Sequence, residues 1–285
     1  MNSDAPIGLF DSGYGGMTVM RPLIELLPAE DIIYVGDEAR CPYGPRSLEE
    51  VQGFVDEICS WLVDQGVKMI IIACNTATAA GLSLAQEKFD VPIIGVIEPG
   101  ARAAAQTTQN QRIGVIATKA TVASGAYSDA IRQIDPDLTV FSTAAPRFVE
   151  ISEKGLQMAQ GSLENFMSKI SNIYIRPAFQ EIAQEYLEPL RRVDIDTLVL
   201  GCTHYPLLKA LIGGVVGRSV TLIDSGEATA HVVSEMLSEL GLLQDDNHEP
   251  VYKFYCTGDN QEAFARFGSR VLEMPIDTVE RIDFE

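Results

Sequence analysis

The chain has 285 residues, 46% hydrophobic and 21% charged, with 23 Gly and 14 Pro dispersed along it. That composition excludes disordered, collagen-like and coiled-coil classes and suits about two globular domains. The formal charge of −19, from 21 basic and 40 acidic residues, repels nucleic-acid phosphates and anionic membranes.

In chain order, short apolar or β-branched runs predict strands at Ile7–Phe10, Ile32–Gly36, Met69–Ala73, Pro92–Ile97, Ile113–Ala117, Leu138–Ser142, Thr197–Gly201, Val220–Asp224 and Tyr252–Cys256. Helical patterns lie between most of them. In Leu48–Leu62, Val51, Phe54, Val55, Ile58, Cys59 and Leu62 recur at helical spacing, which places Cys59 in the core. Near-continuous apolar strands alternating with helices predict an α/β fold of mostly parallel sheets, covered on both faces. Two segments echo each other: Met69 to Cys74-Asn75-Thr76 and Thr197 to Cys202-Thr203-His204 both run strand, cysteine, small hydroxyl residues, helix. Ile7–Phe10 pairs similarly with Ile113–Ala117, so two similar halves are expected, with Pro99-Gly100 as the crossing point between them. Between Gly155 and Leu190, Leu163, Phe166, Met167, Ile170 and Tyr174 form one helical stripe. Pro177 breaks it, and Phe179, Ile182, Ala183, Tyr186 and Leu190 form another; packed helices and a subunit interface are the two readings.

No apolar run reaches the ~18 residues of a membrane span. Residues 1–10 lack the features of a signal peptide, and the six residues before the first strand leave no N-terminal extension for a regulator. The five cysteines (Cys41, Cys59, Cys74, Cys202, Cys256) form neither a disulfide framework nor a usual zinc set, which points to a reducing cytoplasm.

Chemistry concentrates where strands end. Asp11 closes the first strand before Ser12-Gly13-Tyr14-Gly15-Gly16, a turn without the pattern of a nucleotide-binding loop; capping a helix is its structural role. Arg40 to Arg46, with two prolines and Tyr43-Gly44, reads as a rigid loop that could wall a ligand site. Cys74 and Cys202 each follow a strand and precede a helix start, whose field would lower a thiol pKa and whose N–H groups would hold a carboxylate. Asn75, Thr76 and Thr203 add donors. The structural alternative is two small buried thiols. A matched pair suits inversion of a carbon stereocentre, which needs a base on one face and an acid on the other. Disulfide exchange also needs two sulfurs, but no resolving-cysteine spacing is present. His204 reads as a proton partner, a substrate orienter or a capping histidine, and C-x-H spacing disfavours zinc. His231 and His248 have no chemical context.

Together these pieces resemble the glutamate racemases of the cofactor-independent aspartate/glutamate racemase superfamily. The match runs through Asp11-Ser12-Gly13 with Gly15-Gly16, Tyr34 to Asp37, Arg40 to Ser47, Cys74 to Thr78, Glu98-Pro99-Gly100, Gly201 to Pro206 and Ile223 to Gly226. The resemblance implies two similar three-layer α/β domains related by a pseudo-two-fold, with the active site in the cleft between them. Residues 1–98 with 225–285 would form the first domain and 99–224 the second. It implies Cys74 and Cys202 as catalytic acid and base, with Asp11 supporting the first and His204 the second. Asp11, Ser12, Tyr43, Gly44, Asn75, Thr76, Thr203 and His204 would bind the amino acid, and Asp37 and Glu153 match further acidic positions. It also implies conversion of L-glutamate to D-glutamate for peptidoglycan, no cofactor or metal, and a cytoplasmic homodimer without membrane or direct nucleic-acid partners. The alternatives are a racemase for aspartate or another small amino acid, and an amino-acid-binding regulator such as a gyrase-inhibiting partner.

Overall fold

The computed structural model describes residues 2–158, 163, 174 and 176–284. The first sheet contains β1 (Ile7–Asp11), β2 (Ile32–Gly36), β3 (Met69–Ile72), β4 (Ile93–Gly95), β9 (Tyr252–Cys256) and β10 (Glu280–Arg281). The second contains β5 (Arg112–Ala117), β6 (Thr139–Ala144), β7 (Thr197–Gly201) and β8 (Thr221–Asp224). The sheets run β10-β9-β2-β1-β3-β4 and β6-β5-β7-β8, and the described pairings are parallel. β1, β2, β3, β4 and β7 are buried along their whole length, which is why their sequences read as unbroken apolar runs rather than alternating ones. The two-residue β10 has no apolar pattern to announce it.

The orders β2-β1-β3-β4 and β6-β5-β7-β8 are one topology used twice. In each, the chain crosses from one side of the first strand to the other, leaving a crevice at the carboxyl ends of β1 and β3 and of β5 and β7. Asp11 ends β1, Cys74 follows β3, Thr118 follows β5 and Cys202 follows β7, so the echoing segments stand at equivalent places.

The helices are α1 (Met17–Leu26), α2 (Leu48–Asp64), α3 (Asn75–Lys88), α4 (Ile97–Thr107), α5 (Lys119–Ser124), α6 (Ala126–Ile134), α7 (Arg147–Met158), α8 (Pro177–Arg192), α9 (Lys209–Val216), α10 (Ser225–Leu240) and α11 (Gln261–Leu272). Val51, Val55, Ile58, Cys59 and Leu62 form the buried face of α2, as their spacing predicts. Pro99-Gly100, the expected crossing point, lies in a helix rather than a loop. Both residues lie within the first turns of α4, where proline loses no helical bond, and this helix itself carries the chain from the first sheet to the second. The return passes through α10, which packs against α4 and α1. Among the described residues no helix is long and apolar enough to cross a membrane.

Of the stripe expected at Leu163, Phe166, Met167, Ile170 and Tyr174, only Leu163 and Tyr174 are described; the other three lie outside the described residues. Pro177 begins α8, whose buried side contains Ala183, Leu187 and Leu190. Tyr174 is fully buried against Gly155 of α7, where a Cβ would come within 2.1 Å of its ring, and its hydroxyl donates to the Ser152 carbonyl (2.8 Å). Gly155→Ala is therefore expected to cost ~1–3 kcal/mol by overpacking. Denaturant unfolding with an unchanged slope checks this; a neutral substitution would mean the ring is not seated there.

Candidate active site

A cavity of about 260 Å3 lies between the carboxyl ends of the two sheets. The first sheet contributes Ser12, the loop from Cys41 to Pro45, and Cys74, Asn75 and Thr76. The second contributes Thr118, Lys119, Pro146, Val149, Glu150, Cys202, Thr203 and His204. Cys74 and Cys202 thus share one cavity, nearly buried at 6% and 7% exposure. Of the residues expected to bind substrate, all but Asp11 line it; Asp11 is fully buried behind Ser12.

The two cysteines differ in their local frames. Cys74 is the N-terminal cap residue of α3. Cys202 is not followed at once by an α-helix: a turn leads to a 3-10 turn at Tyr205–Leu208, entered with Pro206, and α9 begins only at Lys209. The field expected to lower both thiols also fails at Cys74. Burial pushes this thiol well above its usual value, and the charges of Asp11 and Cys202 add to the rise; the Ala77 N–H and Ser12 hydroxyl offset only part of it. Desolvation outweighs the helix terminus here.

His204 goes the other way. Burial opposes its charge, but Cys202 and Glu153 outweigh burial and push the imidazole up to about 10. Its Nδ1 lies 4.0 Å from the Cys202 sulfur and its Nε2 lies 3.6 Å from Glu153. Because the folded pKa is raised, this interaction stabilises the fold fully below ~6.5, the unfolded value, and is lost as pH rises through about 10. An NMR titration should give His204 a midpoint near 10 that falls in Glu153→Gln; a midpoint near ~6.5 would contradict the charged pair.

Asp11 joins the two sides. It accepts from the Gly13 N–H (3.2 Å) and the Thr203 hydroxyl (3.4 Å) while its charge acts on Cys74. Burial raises its own pKa against the pull of His204 and of the Gly16, Gly13 and Ser12 N–H groups. The glycine turn explains how the halves approach so closely: a Cβ on Gly15 would lie 2.6 Å from Thr203 Oγ1 and 2.7 Å from the His204 ring. Asp37 does not line the cavity. It accepts from Arg40 Nε (2.6 Å), the Tyr43 hydroxyl and Thr257 Oγ1 (2.8 Å), and so holds the Arg40–Arg46 loop in place. Glu153 is set back likewise, behind His204.

Thr118 and Thr121 were missed from sequence. With the expected Thr76 they form a triangle of hydroxyls 3.0 to 3.2 Å apart across the cleft. The echo of Ile7–Phe10 in Ile113–Ala117 was the available signal, since it sets Thr118 at a strand end like that of Asp11. Glu38, outside the cavity lining, is raised to about 7 by burial and then by the charge of Glu153. His231 sits on α10, and His248 lies in a loop 2.9 Å from Asp31. All five cysteines are free.

A family model described as Asp/Glu/Hydantoin racemase matches residues 7–233. A glutamate racemase of Listeria monocytogenes serotype 4a (strain HCC23) is 45% identical over 276 residues, covering 97% of each chain. Among solved structures, a glutamate racemase isoform from Bacillus anthracis superposes with TM-score 0.88 at 42% identity, covering 98% of this chain and 97% of that one. A glutamate racemase from Francisella tularensis, solved in complex with D-glutamate, gives TM-score 0.85 at 35% identity, covering 99% and 98%.

Proposed function

The chain belongs to the Asp/Glu/hydantoin racemase family, and we propose that it interconverts L- and D-glutamate without a cofactor, using Cys74 and Cys202 as paired acid and base. One observation carries the mechanism: the two thiols approach a single cavity from the carboxyl ends of two different sheets.

Glutamate enters with an ammonium group that brings positive charge beside Asp11 and the thiols. That charge offsets the desolvation that raises the Cys74 thiol. One thiolate removes the α-proton while the opposite thiol delivers its own, so the carbon inverts and the two sulfurs exchange protonation states. Charge developing toward the α-carboxylate meets the free N–H groups at the start of α3 and the hydroxyls of Thr76 and Thr118. His204, held charged by Glu153, stabilises negative charge on the Cys202 side. Residues 1–98 with 225–285 and residues 99–224 form two domains that close on the substrate and exclude water.

The D-glutamate supplies peptidoglycan synthesis, in the cytoplasm, from a homodimer. Polarimetry of the purified protein with L-glutamate and no added cofactor tests the activity: decay of rotation to zero supports it, and constant rotation refutes it. The ratio of kcat/KM for glutamate to that for aspartate tests the chain length.

A further inference from the structure

Phe284 lies outside the cavity, yet a short series of contacts joins it to the cavity wall. β10 pairs in parallel with β9, Glu280 opposite Tyr255 and Arg281 opposite Cys256, and the Ile282 N–H then donates to the Cys256 carbonyl (3.0 Å). Arg281 adds ion pairs to Asp259 (2.7 Å) and Asp283 (3.0 Å). With its backbone fixed in this way, the segment 280–284 lays Ile282 and Phe284, both half-buried, on the apolar cluster that contains Tyr43, Cys74 and Tyr255.

Phe284 meets Arg40 there. The guanidinium carbon of Arg40 lies 5.1 Å from the centre of the Phe284 ring and 4.2 Å from that of Phe54 on α2. Arg40 also donates from Nε to Asp37 (2.6 Å) and pairs with Glu57. Its Nη2 is buried with no hydrogen-bond partner among the described residues, which leaves the attraction of the two rings to offset part of its lost hydration.

From Arg40 the contacts run into the cavity. Asp37 accepts from the Tyr43 hydroxyl as well, and the Arg40 carbonyl accepts from Arg46 Nε (2.7 Å), so both ends of the loop are tied to one residue. Tyr43 lines the cavity, and its ring packs 5.3 Å from that of Phe54. Gly44 beside it accepts from the Ala120 N–H (3.2 Å) of the second half, so the loop spans the cleft.

We propose that Phe284 is a positioning residue for substrate binding: the segment 280–284 acts as a strap whose ring clamps Arg40 and thereby fixes Tyr43 and Gly44 at the cavity wall. The proposal rests on the glutamate reading above. No residue of 280–284 lines the cavity, so the strap acts on binding and not on proton transfer.

The test measures KM and kcat for glutamate in Phe284→Tyr, Phe284→Leu and Phe284→Ala, with Phe284→Leu repeated in an Arg40→Gln background. Tyrosine keeps the ring and leucine keeps only apolar bulk, while glutamine keeps an N–H donor for Asp37 but no charge. Phe284→Leu and Phe284→Ala should raise KM about five-fold and leave kcat within about two-fold, and Phe284→Tyr should match the wild type within about two-fold in both. In the Arg40→Gln background Phe284→Leu should move KM by less than about two-fold, since the ring then has no cation to hold. Should Phe284→Ala fold poorly, Phe284→Leu carries the test, because it retains the apolar contact. In an enzyme active on glutamate, an unchanged KM in Phe284→Leu, a loss confined to kcat, or effects that multiply with Arg40→Gln overturn this inference alone. A wild-type protein that leaves glutamate unchanged overturns the underlying reading and the inference with it.

Discussion

Cys74→Ser and Cys202→Ser should each lower racemisation by ~10²–10⁴-fold, because a hydroxyl cannot replace a thiol as base near neutral pH. The more diagnostic result is directional. Each variant keeps one working sulfur, and that sulfur faces one side of the α-carbon. In D2O, one variant should still exchange the α-proton of L-glutamate and the other that of D-glutamate, neither with inversion. NMR of the α-proton, with the enantiomers followed separately, reads this directly. Racemisation at the wild-type rate by either variant, or loss of exchange with the same enantiomer in both, would overturn the two-thiol scheme. The shared cavity makes the test sharp, since both sulfurs meet one substrate rather than two.

The features legible in the sequence share a physical cause. Ile32–Gly36 and Thr197–Gly201 were read with their observed bounds, because Gly36 and Gly201 mark their ends and parallel strands buried on both faces need unbroken apolar runs. The echo between Met69–Cys74 and Thr197–Cys202 was visible because both cysteines stand just past a buried strand, at the carboxyl edge where ligands bind in such sheets. Environment was less legible than position. Cys74 sits at a helix start as expected, yet its thiol is raised, because desolvation depends on what packs around it and not on its neighbours in sequence. Pro99-Gly100 stands in the segment that joins the two sheets, but its helical form was not legible, since a Pro-Gly pair suits a turn and proline is equally at home in the first turn of a helix. Arg40 and Phe284 lie far apart in the chain, and nothing in either segment announces their meeting.

Lys68→Met should destabilise the fold by ~3–5 kcal/mol while leaving kcat of the folded protein unchanged. Lys68 interrupts an apolar run just before β3 and is fully buried, 2.5 Å from the buried carboxylate of Glu30 and 2.6 Å from the Ser3 carbonyl. Glu30 also accepts from the Gln244 N–H (2.9 Å). Ser3, Glu30 and Lys68 precede β1, β2 and β3, so the pair ties three strands together at their amino ends. Losing the ammonium strands a carboxylate away from water, and that uncompensated charge is the source of the cost. Replacing both partners, as Lys68→Met with Glu30→Leu, removes the stranded charge and should recover most of the stability. The proposed catalytic groups stand at the opposite, carboxyl ends of the same sheet, so they and this source of stability are separated by the length of the strands. Urea unfolding of the three proteins, beside kcat at a temperature where all are folded, decides it. A single variant that loses less than ~1 kcal/mol would show that the ion pair contributes no more than a surface one.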